Sequence, residues 1–202
     1  MISVQYLYNL PRYILRKFYI PYNRIKLRIS GASVGANCRI FQGFYILIKK
    51  GGTCKIGKNF IVQSGSNFNP LVRGNKAAIY VGSQGVVNIG DNSGMSSSCI
   101  WCINSISIGN HVDIGANCVI IDNDAHSLDY RIRRTPSTDF ANSAPIVIED
   151  DVLIGTNSIV LKGVRIGARS IIGAGSVVTK DIPSDCIAAG NPCRVIKRIN
   201  NE

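Results

Sequence analysis

Residues 148–182 read IEDDVL-IGTNSI-VLKGVR-IGARSI-IGAGSV-VTKDI. An aliphatic side chain recurs at Ile148, Ile154, Val160, Ile166, Ile172 and Val178, every sixth position without a slip. Four places after each comes a smaller or branched residue: Val152, Ser158, Val164, Ser170, Ser176 and Ile182. Neither the 3.6-residue helix period nor strand alternation gives a strict period of six. A hexapeptide repeat does, and it predicts a β-helix. Each hexad supplies a short strand and a tight turn, and three hexads make one coil of a triangular prism. The aliphatic residue points inward and the small one lets the chain turn the corner. Coils stack through parallel ladders roughly 4.8 Å apart.

Upstream the repeat is clean from Ile108 (IGNHVD-IGANCV-IIDNDA). It then breaks: 28 residues separate Ile120 from Ile148, which is not a multiple of six. Residues 122–145 (DNDAHSLDYRIRRTPSTDFANSAP) are polar and turn-rich, and read as a loop thrown out of the prism. A long loop inside a strict solenoid usually serves function. From Val34 to Gly94 the hexads are ragged, with Asn67–Lys76 the clearest bulge from its Pro, Gly and Asn content. After Ile182 the repeat is expected to end at Pro183, leaving residues 184–202 as a capping tail. Residues 31–183 are thus the β-helix, in one domain of 202 residues.

Residues 1–30 are not repeat. Leu7, Leu10, Ile14, Leu15 and Phe18 fall near helical spacing with Arg12, Arg16 and Lys17 between them. Pro11 suits a first helical turn and Pro21 is expected to stop the helix. Such a basic, aromatic, amphipathic helix can lie on an anionic membrane. It can equally cap the first coil or pack on a neighbouring subunit, because a solenoid end needs a cover. The net charge of +11 is uneven: residues 1–90 hold thirteen Lys and Arg and no Asp or Glu. That asymmetry points to an anionic partner, either a lipid surface or a phosphorylated substrate. Nucleic acid is the third candidate and is not expected, because the aromatics lie in an apolar pattern and no recognition motif is present. No apolar run is long enough for a membrane span, and no signal-peptide h-region is visible. A cytoplasmic protein, associated with the inner face of the membrane through residues 1–30, is expected. The seven cysteines then read as reduced thiols. Cys99 and Cys102 form a lone C-x-x-C without the second pair or histidines that zinc requires, so no metal is expected.

Of two histidines, His111 falls at a turn position expected to face solvent. His126 sits at the root of the extruded loop, after Asp122 and Asp124. Imidazole titrates near neutrality and is the default general base; position alone leaves a catalytic and an incidental role equally open.

The span Ile108–Lys197 resembles the hexapeptide-repeat O-acetyltransferases of the maltose, galactoside and O-antigen type. The resemblance lies in IIDNDAHSLD (120–129), IVIEDDVLIGTNSIVLKGVRIG (146–167), GAGSVVTKDIP (173–183) and AAGNPCRVIK (188–197). It implies an all-β, left-handed parallel β-helix, against the usual right-handed crossover rule. It implies a homotrimer that transfers an acetyl group from acetyl-CoA to a sugar hydroxyl. His126 matches the family's catalytic base and the backbone N–H of Thr156 its oxyanion donor. Ala174, Thr179, Lys180, Arg194 and Lys197 match its CoA contacts. The family's acceptor-binding Asn and Asp have no match near Met95–Asn104, where Ser97 and Ser98 stand instead. These two and Asp124 are the acceptor-side candidates. The expected activity is therefore O-acetylation of a sugar or glycan in surface polysaccharide synthesis. Alternatives are a non-catalytic scaffold or membrane-docking protein, and an N-acetyl or serine-type acetyltransferase on the same fold.

Overall fold

The computed structural model describes residues 4–65, 69–72, 74–135 and 141–199, with side chains from residue 14 onward. The chain is a left-handed parallel β-helix with three sheets for faces. Sheet A stacks β1 (Ser33–Val34), β4 (Thr53–Ile56), β7 (Val86–Ile89), β10 (Ser105–Ile108), β13 (Ile146–Ile148) and β16 (Arg165–Ile166). Sheet B stacks β2 (Arg39–Phe41), β5 (Ile61–Gln63), β8 (Gly94–Ser96), β11 (Asp113–Ala116), β14 (Leu153–Ile154) and β17 (Ile171–Ile172). Sheet C stacks β3 (Tyr45–Ile48), β6 (Ala78–Val81), β9 (Cys99–Cys102), β12 (Val119–Ile121), β15 (Ile159–Val160) and β18 (Val177–Val178). Successive strands visit A, B and C in turn, so each third strand is a neighbour.

The hexad positions explain this. Ile148, Ile154, Val160, Ile166, Ile172 and Val178 are all buried, one per strand from β13 to β18. The small serines pin the corners. Ser98 Oγ receives the Cys118 amide and donates to Gly115 O; Ser170 Oγ does the same between Cys186 N and Pro183 O. Other corner residues take the left-handed region, with Asn37, Asn59, Asn92, Asn117 and Asn157 at φ between 57° and 59°. Asn tolerates this because its side chain bonds locally; here Asn59 donates to Asn92 at 2.7 Å in a ladder along one edge. His111 shares the conformation (φ 55°) and is exposed, as its turn position predicts.

The outer faces differ in chemistry. On sheet C, Tyr45, Ala78, Cys99, Val119, Ile159 and Val177 form one register column. Leu47, Tyr80, Trp101 and Ile121 form a second. Both columns are free of charge. On sheet A, Lys55, Asn88, Ser107, Val147 and Arg165 form one outer column, which carries charge where those of sheet C carry none.

The ends depart from expectation. A helix, α1, runs Val4–Ile29, straight through Pro11 and Pro21. Pro21 was expected to stop it. Its missing N–H costs one helical bond, and docking offsets the loss. Beyond it Leu27 and Asn23 are fully buried against the first coil, and Asn23 Nδ2 donates to Ile40 O and Gln42 O. Arg16 stacks over the Phe41 ring. Residues 1–3 of the N-terminal segment lie outside the described residues. At the other end the repeat does not stop at Pro183. β19 (Cys186–Gly190) adds one more parallel strand to sheet B beside β17. β20 (Cys193–Arg198) then folds back antiparallel on β19 and covers that edge. The Asn67–Lys76 excursion leaves between β5 and β6; of it, residues 67, 68 and 73 are outside the described residues.

All the cysteines are free, and most are buried. Burial pushes the Cys54 and Cys102 thiols up to about 12, with Asp122 adding to the rise at Cys102. These are poor thiolates, suited to packing rather than redox work.

Candidate active site

The 122–145 loop leaves the prism at the corner between sheets C and A, after β12. Its root is zipped shut. The Asp122 carboxylate is fully buried and accepts the Ile103 amide at 2.9 Å and the Asn104 amide at 2.8 Å, both from the coil before. The outgoing and returning limbs bond through Ala144 N to Asp122 O and Asp124 N to Asn142 O. Asn123 and Ser143 form an antiparallel bridge. The coil after the loop also holds it, through Gly163 N to Ala144 O and an ion pair between Lys162 and Asp124 at 2.5 Å.

His126 stands at the end of this root. Ala125 before it takes the left-handed region (φ 62°), a conformation costing about 1–2 kcal/mol outside glycine. The Asn123 side chain stabilises that turn by accepting the Ala125 amide, and the His126 amide folds back onto Asp124 O at 2.7 Å. The result is an exposed imidazole on a fixed backbone. Past it, Asp129 caps a single turn of helix, α2 (Tyr130–Arg133), and Arg133 binds the carbonyls of Ser127 and Leu128. Loop residues 136–140 lie outside the described residues.

Beneath the loop, along the same corner, runs an open groove of about 740 Å³. Lys49, Lys50, Tyr80, Ser83, Gln84, Ile103 and Ala125 line it. Its lysines come from the acid-free first half of the chain. Sequence reading missed Lys49, Lys50 and Lys162 as site residues. They carry no motif, and only the stacking of distant coils brings them to the corner from which the loop leaves.

Thr156 lies elsewhere. It follows β14 at the corner between sheets B and C, so sheet C stands between it and His126. A four-residue strand spans roughly 13 Å, and one chain does not bring the two together. At the A–B corner the Lys58, Asn110 and Ala168 amides, which hold the same place in their hexads, are capped by Asp91, Asp150 and Glu149. Among the described residues the Thr156 amide meets no acceptor, while its hydroxyl donates to Ala116 O at 2.7 Å. Ala174 stacks directly above: a Cβ on Gly155 would lie 2.5 Å from the Ala174 nitrogen, so only glycine fits.

The remaining candidates divide between the two corners. Arg194 on β20 pairs with Ala189, and Lys197 with Ile187, on the sheet B edge above Ala174. Thr179 and Lys180 follow β18 at the C–A corner, above Lys162. Ser97 and Ser98 are buried at the B–C corner, and their hydroxyls are occupied by Gln63 O, Gly65 N, Gly115 O and Cys118 N. They are corner pins and sit apart from His126. Asp124 does lie beside His126, with one oxygen on Lys162 and the other buried without a partner among the described residues.

These features define a class: a hexapeptide-repeat β-helix protein with one corner loop bearing a histidine. The sequence profile of the hexapeptide repeat of succinyl-transferase matches residues 145–180. Within that class the chain is similar to acetyltransferases. It is 45% identical over 96 residues to a galactoside O-acetyltransferase of Lactococcus lactis, a match covering 48% of this chain and 45% of that one. The chain thus spans about half the length of the curated relatives it matches. A hexapeptide-repeat acetyltransferase of Vibrio cholerae, solved with acetyl coenzyme A, superposes with a TM-score of 0.55 at 27% identity, covering 94% of this chain and 84% of that one. An N-acyltransferase of Bacillus cereus, solved with dTDP-4-amino-4,6-dideoxyglucose and coenzyme A, shares the fold: TM-score 0.68, 18% identity, 88% and 89% coverage.

Proposed function

We propose that this chain is an acetyl-CoA-dependent O-acetyltransferase acting on a sugar hydroxyl in surface polysaccharide synthesis. The observation that carries the reading is the root of the corner loop, where Asp122 and its neighbours fix the backbone under an exposed His126. The imidazole takes the proton from an acceptor hydroxyl while that oxygen attacks the thioester carbonyl of acetyl-CoA directly. The thiolate of CoA leaves and the proton is returned to it. The developing oxyanion is met by the uncapped Thr156 amide, a contact worth about 3–4 kcal/mol when preorganised. Ala174, Thr179, Lys180, Arg194 and Lys197 hold the donor. Asp124 and the Lys49–Lys50 groove take the acceptor, and paired lysines suit a phosphate-linked saccharide.

The assembly in this reading is a homotrimer. Its support is the charge-free outer face of sheet C, which offers an apolar surface for burial. A threefold axis in front of that face would turn the C–A corner of one prism toward the B–C corner of the next. His126 of one chain would then meet Thr156 and Ala174 of its neighbour, and the split between corners becomes a site shared by two chains. Peripheral membrane contact through residues 1–30 belongs to the same reading.

The test is release of free thiol from acetyl-CoA across sugars, nucleotide sugars and lipid-linked saccharides. Turnover with one of these classes supports the reading. Failure of every class, together with failure of the protein to be retained on immobilised CoA, overturns it.

A further inference from the structure

Helix α1 docks one face on the first coil and leaves the opposite face bare. Ile14, Phe18, Tyr22, Ile25 and Ile29 are between 48% and 81% exposed. At about 100° per residue they fall within an arc of about 80°, a single stripe along four turns. Arg24, Lys17 and Arg28 border one side of that stripe and Lys26 the other, while Leu27, Asn23 and Arg16 point to the prism. The order around the helix is therefore docked face, cations, apolar stripe, cation. The aromatics are organised, with Phe18 and Tyr22 stacked at 5.8 Å. They also wall an open groove of about 480 Å³ between α1 and β3, shared with Phe44, Tyr45, Lys26 and Lys76.

We infer that the outward face of α1 is a docking surface for an anionic lipid bilayer, and that the aromatic groove with Lys26 and Lys76 seats a lipid headgroup phosphate. Apolar side chains with flanking cations are what an interfacial helix presents to a membrane. Charge decides against self-pairing of the helix. Two copies would set Lys17, Arg24 and Arg28 against one another, with no Asp or Glu in residues 1–90 to neutralise them. An anionic leaflet supplies the missing charge along the whole stripe. Among the described residues no helix is long and apolar enough to cross a membrane, so the contact is lateral. The inference deepens the membrane contact named above, and its test reads partition rather than transfer, so the two fail separately.

The experiment is flotation of the full chain with vesicles of phosphatidylglycerol and phosphatidylcholine, against phosphatidylcholine alone. Two triple variants are compared: Lys17→Gln with Arg24→Gln and Arg28→Gln, and Ile14→Ser with Ile25→Ser and Ile29→Ser. All six positions are on the exposed face, so the fold is kept, checked by circular dichroism and thermal midpoint. The expected result is flotation with anionic vesicles only, lost at high salt. The charge variant should bind about a hundredfold more weakly, from three neutralised cations; the stripe variant should lose at least about tenfold. Three outcomes overturn the inference: wild-type protein that stays at the bottom with anionic lipid at low salt, variants that float as well as wild type, or a stripe variant whose sedimentation shows a dissociated oligomer, which makes the stripe a subunit contact.

Discussion

Replacing Asp122 by Ala tests how the loop root is held. Its buried carboxylate accepts two backbone amides, Ile103 N and Asn104 N, and the Asn123 side chain at 3.1 Å. Each amide stranded without an acceptor costs about 1–3 kcal/mol. Both donors are half-buried, so some water reaches them, and the sum for the pair is about 2–4 kcal/mol. A domain with about 5–15 kcal/mol in hand stays folded. Function should suffer more. The root keeps Ala144 N on Asp122 O but loses its tie to the coil below, and a displacement near 1 Å costs about a hundredfold in rate. Asp122→Asn keeps one acceptor oxygen and should lose roughly half as much stability. Urea unfolding gives the stability, amide exchange at residues 103, 104 and 122–128 gives the local opening, and thiol release gives the rate. An Ala variant with wild-type unfolding and exchange would refute the claim that this carboxylate fixes the loop.

His126→Ala should leave the fold and CoA retention intact and lower turnover at least about a hundredfold, the usual worth of a general base; turnover within about threefold of wild type would assign the base elsewhere. Trp101→Glu, on the outer face of sheet C, should leave each prism folded and shift the sedimenting species from trimer to monomer, with loss of activity. The thiols give a pH dependence. Their folded values, about 11 for Cys38 and about 12 for Cys54 and Cys102, lie above the ordinary thiol value. The folded state therefore holds the proton that the unfolded state releases, and this stability is complete below the ordinary thiol range and is lost as pH rises toward the folded values. The urea midpoint should fall on the alkaline side, and Cys54→Ala should flatten that fall.

The fold was legible because one residue in six must be aliphatic for a three-sided prism to fill, and Ile148–Val178 show that pattern unbroken. The loop was legible as the place where the period fails. Two boundaries were not. Pro21 reads locally as a stop, but Asn23 and Leu27 dock on Ile40 and Gln42, and tertiary burial overrides the local cost. Pro183 reads as an end, yet Ile187 and Ala188 still find β17. At the site, His126 stands out through its place at the loop root. Lys49, Lys50 and Lys162 do not, because only coil stacking brings residues so far apart in sequence to one corner. Ser97 and Ser98 read as acceptor-side candidates only through the family resemblance, and in space their hydroxyls are bonded into the B–C corner.

The central claim is a catalytic site divided between neighbouring chains, and complementation measures it. His126→Ala lacks the base but keeps the Thr156 amide. Thr156→Pro removes that amide, which meets no acceptor among the described residues, and keeps the base. Each alone should be inactive in acetyl-CoA turnover. In trimers assembled from an equal mixture, every mixed trimer regains one intact junction, and activity should recover to about a quarter of wild type by random assembly. Recovery to that level is the predicted result. Mixed trimers no more active than either parent would contradict the shared site, and with it the account of how His126 and Thr156 act together.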